Sequence, residues 1–403
     1  MTNEDYSQND LDDLLRDYEN SSNSVFEELF EQRVIDSGLS ERGALALLNT
    51  SYRPLHRVLK GDHKLVDFLL LMRIADFLQI PFSQVAELYL HEVTSNFGQE
   101  IDEWNRKKFI LDNFDLTNLQ RCGFLDNTSD FKYIEEKITT YFGLKDITDY
   151  GKEAVNAVFS SGKAKPKTRM TREFWVWSAE KNLRINNHYE YDRSKLLDYV
   201  PSIRWHTMNV EKGLFQVIRE LFEFGVTVIF EPHINDLHVR GATFAVNGKP
   251  AIALTNYTKH YPSLWFALMH ELHHVLFDWE EIKINKRHIS GDIDLFSMRE
   301  VEADNFAREF LFPKKKKEEI FPYINKKAFV AEYAKANYIH PSLIYIFYCW
   351  DNRESEDKSW AKFYDEIPSF TEAVEPLNAI PWQNRKSIKE VTKLREQGVF
   401  KGL

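Results

Sequence analysis

The segment WFALMHELHHVLFD, residues 265–278, constrains this chain more than any other part of it. An apolar run of this length without Pro or Gly reads as a buried helix. Such a helix cannot leave two imidazoles and a carboxylate without partners. His270 and His274 are one turn apart and share a face, while Glu271 lies about 100° round from His270. From there its carboxylate can reach a water activated by a metal on the two histidines without being a ligand itself. The HExxH spacing therefore predicts a metal-bearing helix and hydrolysis of an amide bond. His273 competes as a ligand, but only the His270/His274 pair keeps Glu271 in its usual relation to both, and that pair is favoured.

Catalytic zinc takes three protein ligands and an open position, so a further donor has to come from elsewhere in the chain. The segment MREVEADNFAREFLFP, residues 298–313, supplies one. Val301, Ala303, Phe306, Ala307, Phe310 and Leu311 recur at helical spacing, and Glu300 and Asp304 stand four apart on one face. Taken alone, Glu300, Glu302 and Asp304 read as a solvated face. Beside HExxH, Glu300 reads as the third ligand and Asp304 as the acceptor for the outer N–H of a liganding histidine. Ala303 and Ala307 let this helix approach the first closely, and Pro313 stands just past its end. Candidate oxyanion donors are Tyr257, His260, Arg287 and His288, unranked. The strand AIALT, residues 251–255, reads either as an edge that pairs with an extended substrate or as a simple core strand.

The succession GVTVIFEPH, GATFAVNGKPAIALT, ALMHELHHVLFD and EVEADNFAREFLFP resembles the ImmA/IrrE-type zinc metallopeptidase domain over roughly residues 210–350. YAKANYIHPSLIYIFY looks like the helical segment that follows the site in the longer, HigA-like members. The family pattern maps onto His270, Glu271, His274 and Glu300, with Asp304 in support. It departs at His273, where members commonly carry a small residue. The resemblance implies a Zn2+ cofactor and a protease that cuts a regulatory protein, often a repressor or antitoxin, in a stress or defence response. The expected fold is mainly α with a small antiparallel β-sheet, a zincin-like α+β domain, behind an all-α N-terminal domain.

With 403 residues, 43% of them hydrophobic, the chain can fill two or three sizeable cores. Two cysteines cannot build a disulfide framework, and with no signal peptide or long apolar stretch a cytoplasmic protein with no membrane contact is expected. The organisation reads as an acidic tail over 1–24, a helical domain over 25–95, a helical middle region over 96–209 without recognisable chemistry, the protease domain over 210–350 and an extended C-terminal segment over 351–403.

In the helical domain, Ser40 reads as the N-cap of one helix, Thr50 and Ser51 open the next, and Leu55, Val58 and Gly61 take apolar and stop positions. This resembles the helix-turn-helix of Xre/Cro-type repressors, with Leu59 in place of the family's usual Glu. The resemblance points to Arg53, His56, Arg57 and Lys60 meeting double-stranded DNA, with Arg57 as base reader. Residues 33–95 carry equal numbers of Lys/Arg and Asp/Glu, so the non-specific electrostatic attraction to DNA is small. DNA contact and protein contact, including a homodimer, both remain open. Two functional readings follow: a zinc endopeptidase regulated by its N-terminal module, or a DNA-binding regulator or antitoxin whose zincin fold is sensory or structural.

Overall fold

The computed structural model describes residues 24–152, 166–289, 297–352, 358–377 and 380–403. Apart from Ser24, the acidic tail expected over 1–24 lies outside the described residues. The chain divides into two compact units between Lys108 and Phe109. No single helix among the described residues is long and apolar enough to cross a membrane.

The first unit is helical: α1 Val25–Asp36, α2 Glu41–Leu47, α3 Tyr52–Leu59, α4 Phe68–Leu78 and the start of α5 Phe82–Asn113, whose helical geometry breaks at Phe97. Its core gathers Phe26, Phe30, Leu48, Leu55, Ile74 and Val85. The helix starts are set locally. Ser24, Ser40 and Asp67 each accept a backbone N–H in the first turn of the helix that follows. Gly61 closes α3 at φ +62°, where an added Cβ would sit 2.6 Å from the backbone of Glu92. Only glycine meets both demands.

The second unit continues through α6 Leu116–Arg121, α7 Phe131–Phe142, α8 Lys167–Asn182, α9 Arg193–His206 and α10 Gly213–Glu223 into strands β1 Thr227–Phe230, β2 Gly241–Val246 and β3 Lys249–Leu254. Then come α11 Tyr261–Phe277, α12 Trp279–Asn285, β4 Arg287–Ile289 and α13 Ser297–Leu311. Further helices, α14 Lys314–Ile320, α15 Lys327–Ala336, α16 Pro341–Asp351, α17 Ser359–Phe363, α18 Thr371–Val374 and α19 Ile388–Gly398, close the chain. The described residues after 351, expected to be extended, are thus built largely into short helices. One hydrophobic core runs from Ile110 to Phe400.

The sheet has the order β1-β3-β2-β4 and is mixed, which corrects the expected antiparallel one. Asn247 and Gly248, both at positive φ, make the two-residue turn that pairs β2 antiparallel with β3. β1 precedes that hairpin and runs antiparallel to β2, but residues 231–240 carry the chain one strand-width past it. β3 folds into the gap and so lies parallel to β1. This overturns the reading of AIALT as an edge. Ala251–Leu254 is an interior strand, buried throughout, and the outer strands are β1 and β4.

Every residue of α11 from Tyr261 to Leu276 is buried, as a helix apolar on all sides requires. Pro262 begins it. Its last carbonyls are satisfied by Tyr191, whose hydroxyl donates to Val275 O at 3.0 Å, and by Arg193, whose Nε donates to Leu276 O at 2.8 Å. α13 lies against it through Ala303 and Ala307, both with no exposed surface. Two small residues one turn apart bring the two backbones close enough for their polar faces to meet.

Candidate metal centre

The meeting point of α11 and α13 is a set of three electron-pair donors. His270 Nε2 and His274 Nε2 stand 3.2 Å apart. Glu300 places Oε2 3.4 Å from His270 Nε2 and Oε1 3.4 Å from His274 Nε2. The other ring nitrogens are already committed: His270 Nδ1 is 2.9 Å from Asp304 Oδ1, and His274 Nδ1 is 2.8 Å from Asp278 Oδ2. When the rings are neutral, an Nδ1–H donated to a carboxylate leaves the lone pair on Nε2, so both would turn acceptors toward each other and toward a carboxylate. Buried acceptors in that relation repel unless a proton or a metal cation lies among them.

The spacing fits such a cation. Donors bonded at about 2.0–2.1 Å to a tetrahedral ion lie roughly 3.3–3.5 Å from one another. The observed edges are 3.2, 3.4 and 3.4 Å.

The electrostatics point the same way. Burial alone would lower the pKa of His270, but hydrogen bonds to Asp304 and Glu300 and the charge of Glu271 push it up to about 10. His274 is also raised, by Asp278 and Glu300 against its burial. Burial would raise Glu300, yet hydrogen bonds from His270, His274 and His288 hold it far below the usual carboxylate range. The pocket favours positive charge at the imidazoles and negative charge at Glu300, the field that also holds a divalent ion.

Glu271 comes from the same helix but turns to the sheet. It is 1% exposed, and Thr243 Oγ1 donates to its Oε2 at 2.7 Å. Gly241 opens β2 directly beneath it, where an added Cβ would lie 2.8 Å from Glu271 Oε1. His288, on β4, reaches Glu300 Oε1 through Nε2 at 2.7 Å, and its ring centroid is 4.0 Å from that of His274.

His273 takes a different place. Its ring packs against Phe277 and Phe306 at 4.8 and 5.4 Å, and its Nδ1 has no hydrogen-bond partner among the described residues. Burial, followed by the neighbouring His274, lowers its pKa to about 4, so it is neutral. Among the described residues, His273, His274 and Asp278 form a second group close enough to share an ion. That group would use the His274 nitrogen already bound to Asp278. His270, His274 and Glu300 are the better set.

No protein-family model, curated protein or solved structure matches this chain.

The remaining candidates are spread over the two units. Tyr257 and His260 line a cavity beside the start of α11. Tyr257 lies 2.8 Å from His238 through its hydroxyl, and the His260 ring lies 5.5 Å from Trp360. Arg287 pairs with Glu180 at 3.7 Å. In the first unit, Arg53, Arg57 and Lys60 are exposed on or just past α3. His56 and Lys60 both pair with Glu27, at 3.1 and 3.5 Å.

Sequence reasoning passed over three site residues. Asp278 follows His274 by four residues and was visible as a helical i,i+4 pair. Thr243 and Gly241 come from another element, and only the placement of β2 against α11 brings them in.

Proposed function

We propose that this chain is a zinc-dependent endopeptidase that cleaves a protein partner. His270, His274 and Glu300 would hold the ion and Glu271 would serve as general base. The observation that carries the reading is the triangle of donor atoms with near-tetrahedral edges, each histidine backed by its own carboxylate. A bound zinc ion supplies Lewis-acid polarisation of the scissile carbonyl and makes water a nucleophile at neutral pH. Asp304 and Asp278 fix the ring tautomers and orientations. Glu271, steadied by Thr243, accepts the proton of the attacking water and returns it to the leaving amine. His288 steadies Glu300. The resemblance to ImmA/IrrE-type peptidases makes a repressor or antitoxin the class of substrate to try first. The test is cleavage of such a partner by wild type and by Glu271→Gln, which is expected to keep metal and fold and to lose cleavage by at least about a hundredfold. Full proteolysis by Glu271→Gln would overturn the mechanism.

A second reading concerns the first unit. Arg53 and Arg57 are exposed on α3 without carboxylate partners among the described residues, and α3 follows α2 after a four-residue connection, 48–51. This favours double-stranded DNA contact through Arg53 and Arg57 rather than through His56 and Lys60, which Glu27 engages. Fluorescence anisotropy at increasing salt is the test. Binding to a duplex from the upstream region of its own gene is expected to weaken steeply with salt and on Arg57→Ala. Binding indifferent to both would exclude it.

A further inference from the structure

The cavity beside the start of α11 has a volume of about 330 Å³ and is walled by Arg240, Tyr257, His260, Phe266, Trp350 and Trp360. Two of its walls neighbour the candidate centre along the chain. Phe266 lies one turn before His270 on α11, with ring centroids 6.3 Å apart. Arg240 directly precedes Gly241, the residue pressed against Glu271. His270 and Glu271 do not line the cavity, but two of its walls adjoin them along the chain.

Its chemistry is mixed in a specific way. The interior is aromatic, with Phe266 and Trp350 edge to face at 5.1 Å and His260 beside Trp360 at 5.5 Å. At the rim, the exposed Arg240 guanidinium lies 5.9 Å from the Phe266 ring and has no carboxylate partner among the described residues. A volume near the bottom of the roughly 300–1,000 Å³ range of ligand pockets suits one or two side chains rather than a large cofactor. An aromatic wall recognises a bulky apolar group, and an unpaired guanidinium recognises a carboxylate.

We propose that this cavity is a specificity subsite that takes a bulky apolar side chain of a polypeptide, while Arg240 meets an acidic residue next to it in the same polypeptide. The proposal rests on the peptidase reading for the identity of the ligand as polypeptide. Its occupant follows from the aromatic wall that Phe266 carries up to His270 and from Arg240, which has no carboxylate partner among the described residues. A polypeptide lying across the centre would drop one side chain into the cavity, against the wall formed by Phe266, Trp350 and Trp360.

The test is capture of a random synthetic peptide library by immobilised full-length Glu271→Gln protein, with the retained peptides sequenced by mass spectrometry. The retained pool is expected to be enriched about tenfold in Trp, Phe or Leu next to Asp or Glu. Arg240→Glu in the same background is expected to exchange the acidic preference for a basic one, and Trp360→Ala to abolish the apolar enrichment. Arg240 is exposed, so the first variant stands even where the second fails to fold. Retention of no peptide, or a preference that Arg240→Glu leaves unchanged, would overturn the subsite. Cleavage of the same library by wild type is scored separately. Selective capture without cleavage would remove the peptidase reading and keep a peptide-binding site, whereas cleavage without selection would do the reverse.

Discussion

The candidate centre is set by single atoms, with Nε2 of His270, Nε2 of His274 and the carboxylate of Glu300 facing one another at 3.2–3.4 Å. His270, Glu271, His274, Glu300 and Asp304 were legible as a group because each pair lies within one helix, where a spacing of three or four residues fixes a shared face. The contribution of β2 was not legible, since no local period connects Gly241 or Thr243 to Glu271. That hidden contact makes a sharp prediction. Gly241→Ala puts a methyl 2.8 Å from Glu271 Oε1, 2.9 Å from its Cγ and 3.1 Å from its Cδ. The whole side chain has to shift within a small space, so a loss on the order of 1 kcal/mol, roughly 2–4 °C or less in melting temperature for a unit of this size, is expected beside a fall in cleavage of at least about a hundredfold. Equal loss of both would show Gly241 to be merely structural. His273 supplies a second test. As a neutral ring packed on Phe277 and Phe306, it should tolerate His273→Leu with zinc retained, whereas His274→Leu should lose the metal. The reverse outcome in metal analysis would exchange the two histidines. Asp278→Asn and Asp304→Asn should each weaken zinc by roughly 10–100-fold in chelator competition, because each holds a ligand ring in place.

Among the elements, the sheet shows why a short apolar run misleads. AIALT has the continuous burial of a strand covered on both faces, but whether it lies inside or at an edge depends on where the hairpin of β2 and β3 docks, which no local pattern records. The end of β1 shows a second long-range feature. Glu231 is wholly buried, and its carboxylate accepts from Arg385 Nη1 at 2.5 Å and Arg395 Nη2 at 2.8 Å. Burial would raise its pKa, but the two guanidiniums overcome this and bring it down to about 2. A folded-state pKa below the unfolded one contributes stability above the ordinary carboxylate range, and that stability is lost as pH falls through about 2. Thermal melts from pH 6 to pH 2 should therefore fall steeply at the acid end. Glu231→Gln should cost roughly 3–5 kcal/mol at neutral pH, because it strands two buried guanidiniums, and should flatten that acid dependence. A neutral-pH loss below about 1 kcal/mol would mean the network is solvated.

On the scale of the whole molecule, the sequence boundaries at 210 and 351 follow the edges of recognisable motifs. The core obeys different contacts. Arg219 Nη1 donates to Val399 O at 2.7 Å, and Phe222 stacks on Phe400 with centroids 4.5 Å apart, so α10 is tied to the C-terminal end. Trp382 Nε1 donates to Pro232 O at 3.1 Å, fixing the chain just after β1. Such pairings between distant segments leave no periodic trace. They predict that residues 109–403 expressed alone fold cooperatively and bind zinc, since core and centre both belong to that unit, whereas a chain ending at 350 does not fold. Circular dichroism melts with metal analysis would check both. The measurement that bears most directly on the centre is the zinc content of purified full-length protein, wild type beside Glu300→Gln and His270→Ala. The expected result is about one zinc per chain in wild type and a loss of at least tenfold in affinity in each variant. A wild type without zinc after loading, or variants that hold it equally well, would contradict the assignment of His270, His274 and Glu300 as its ligands.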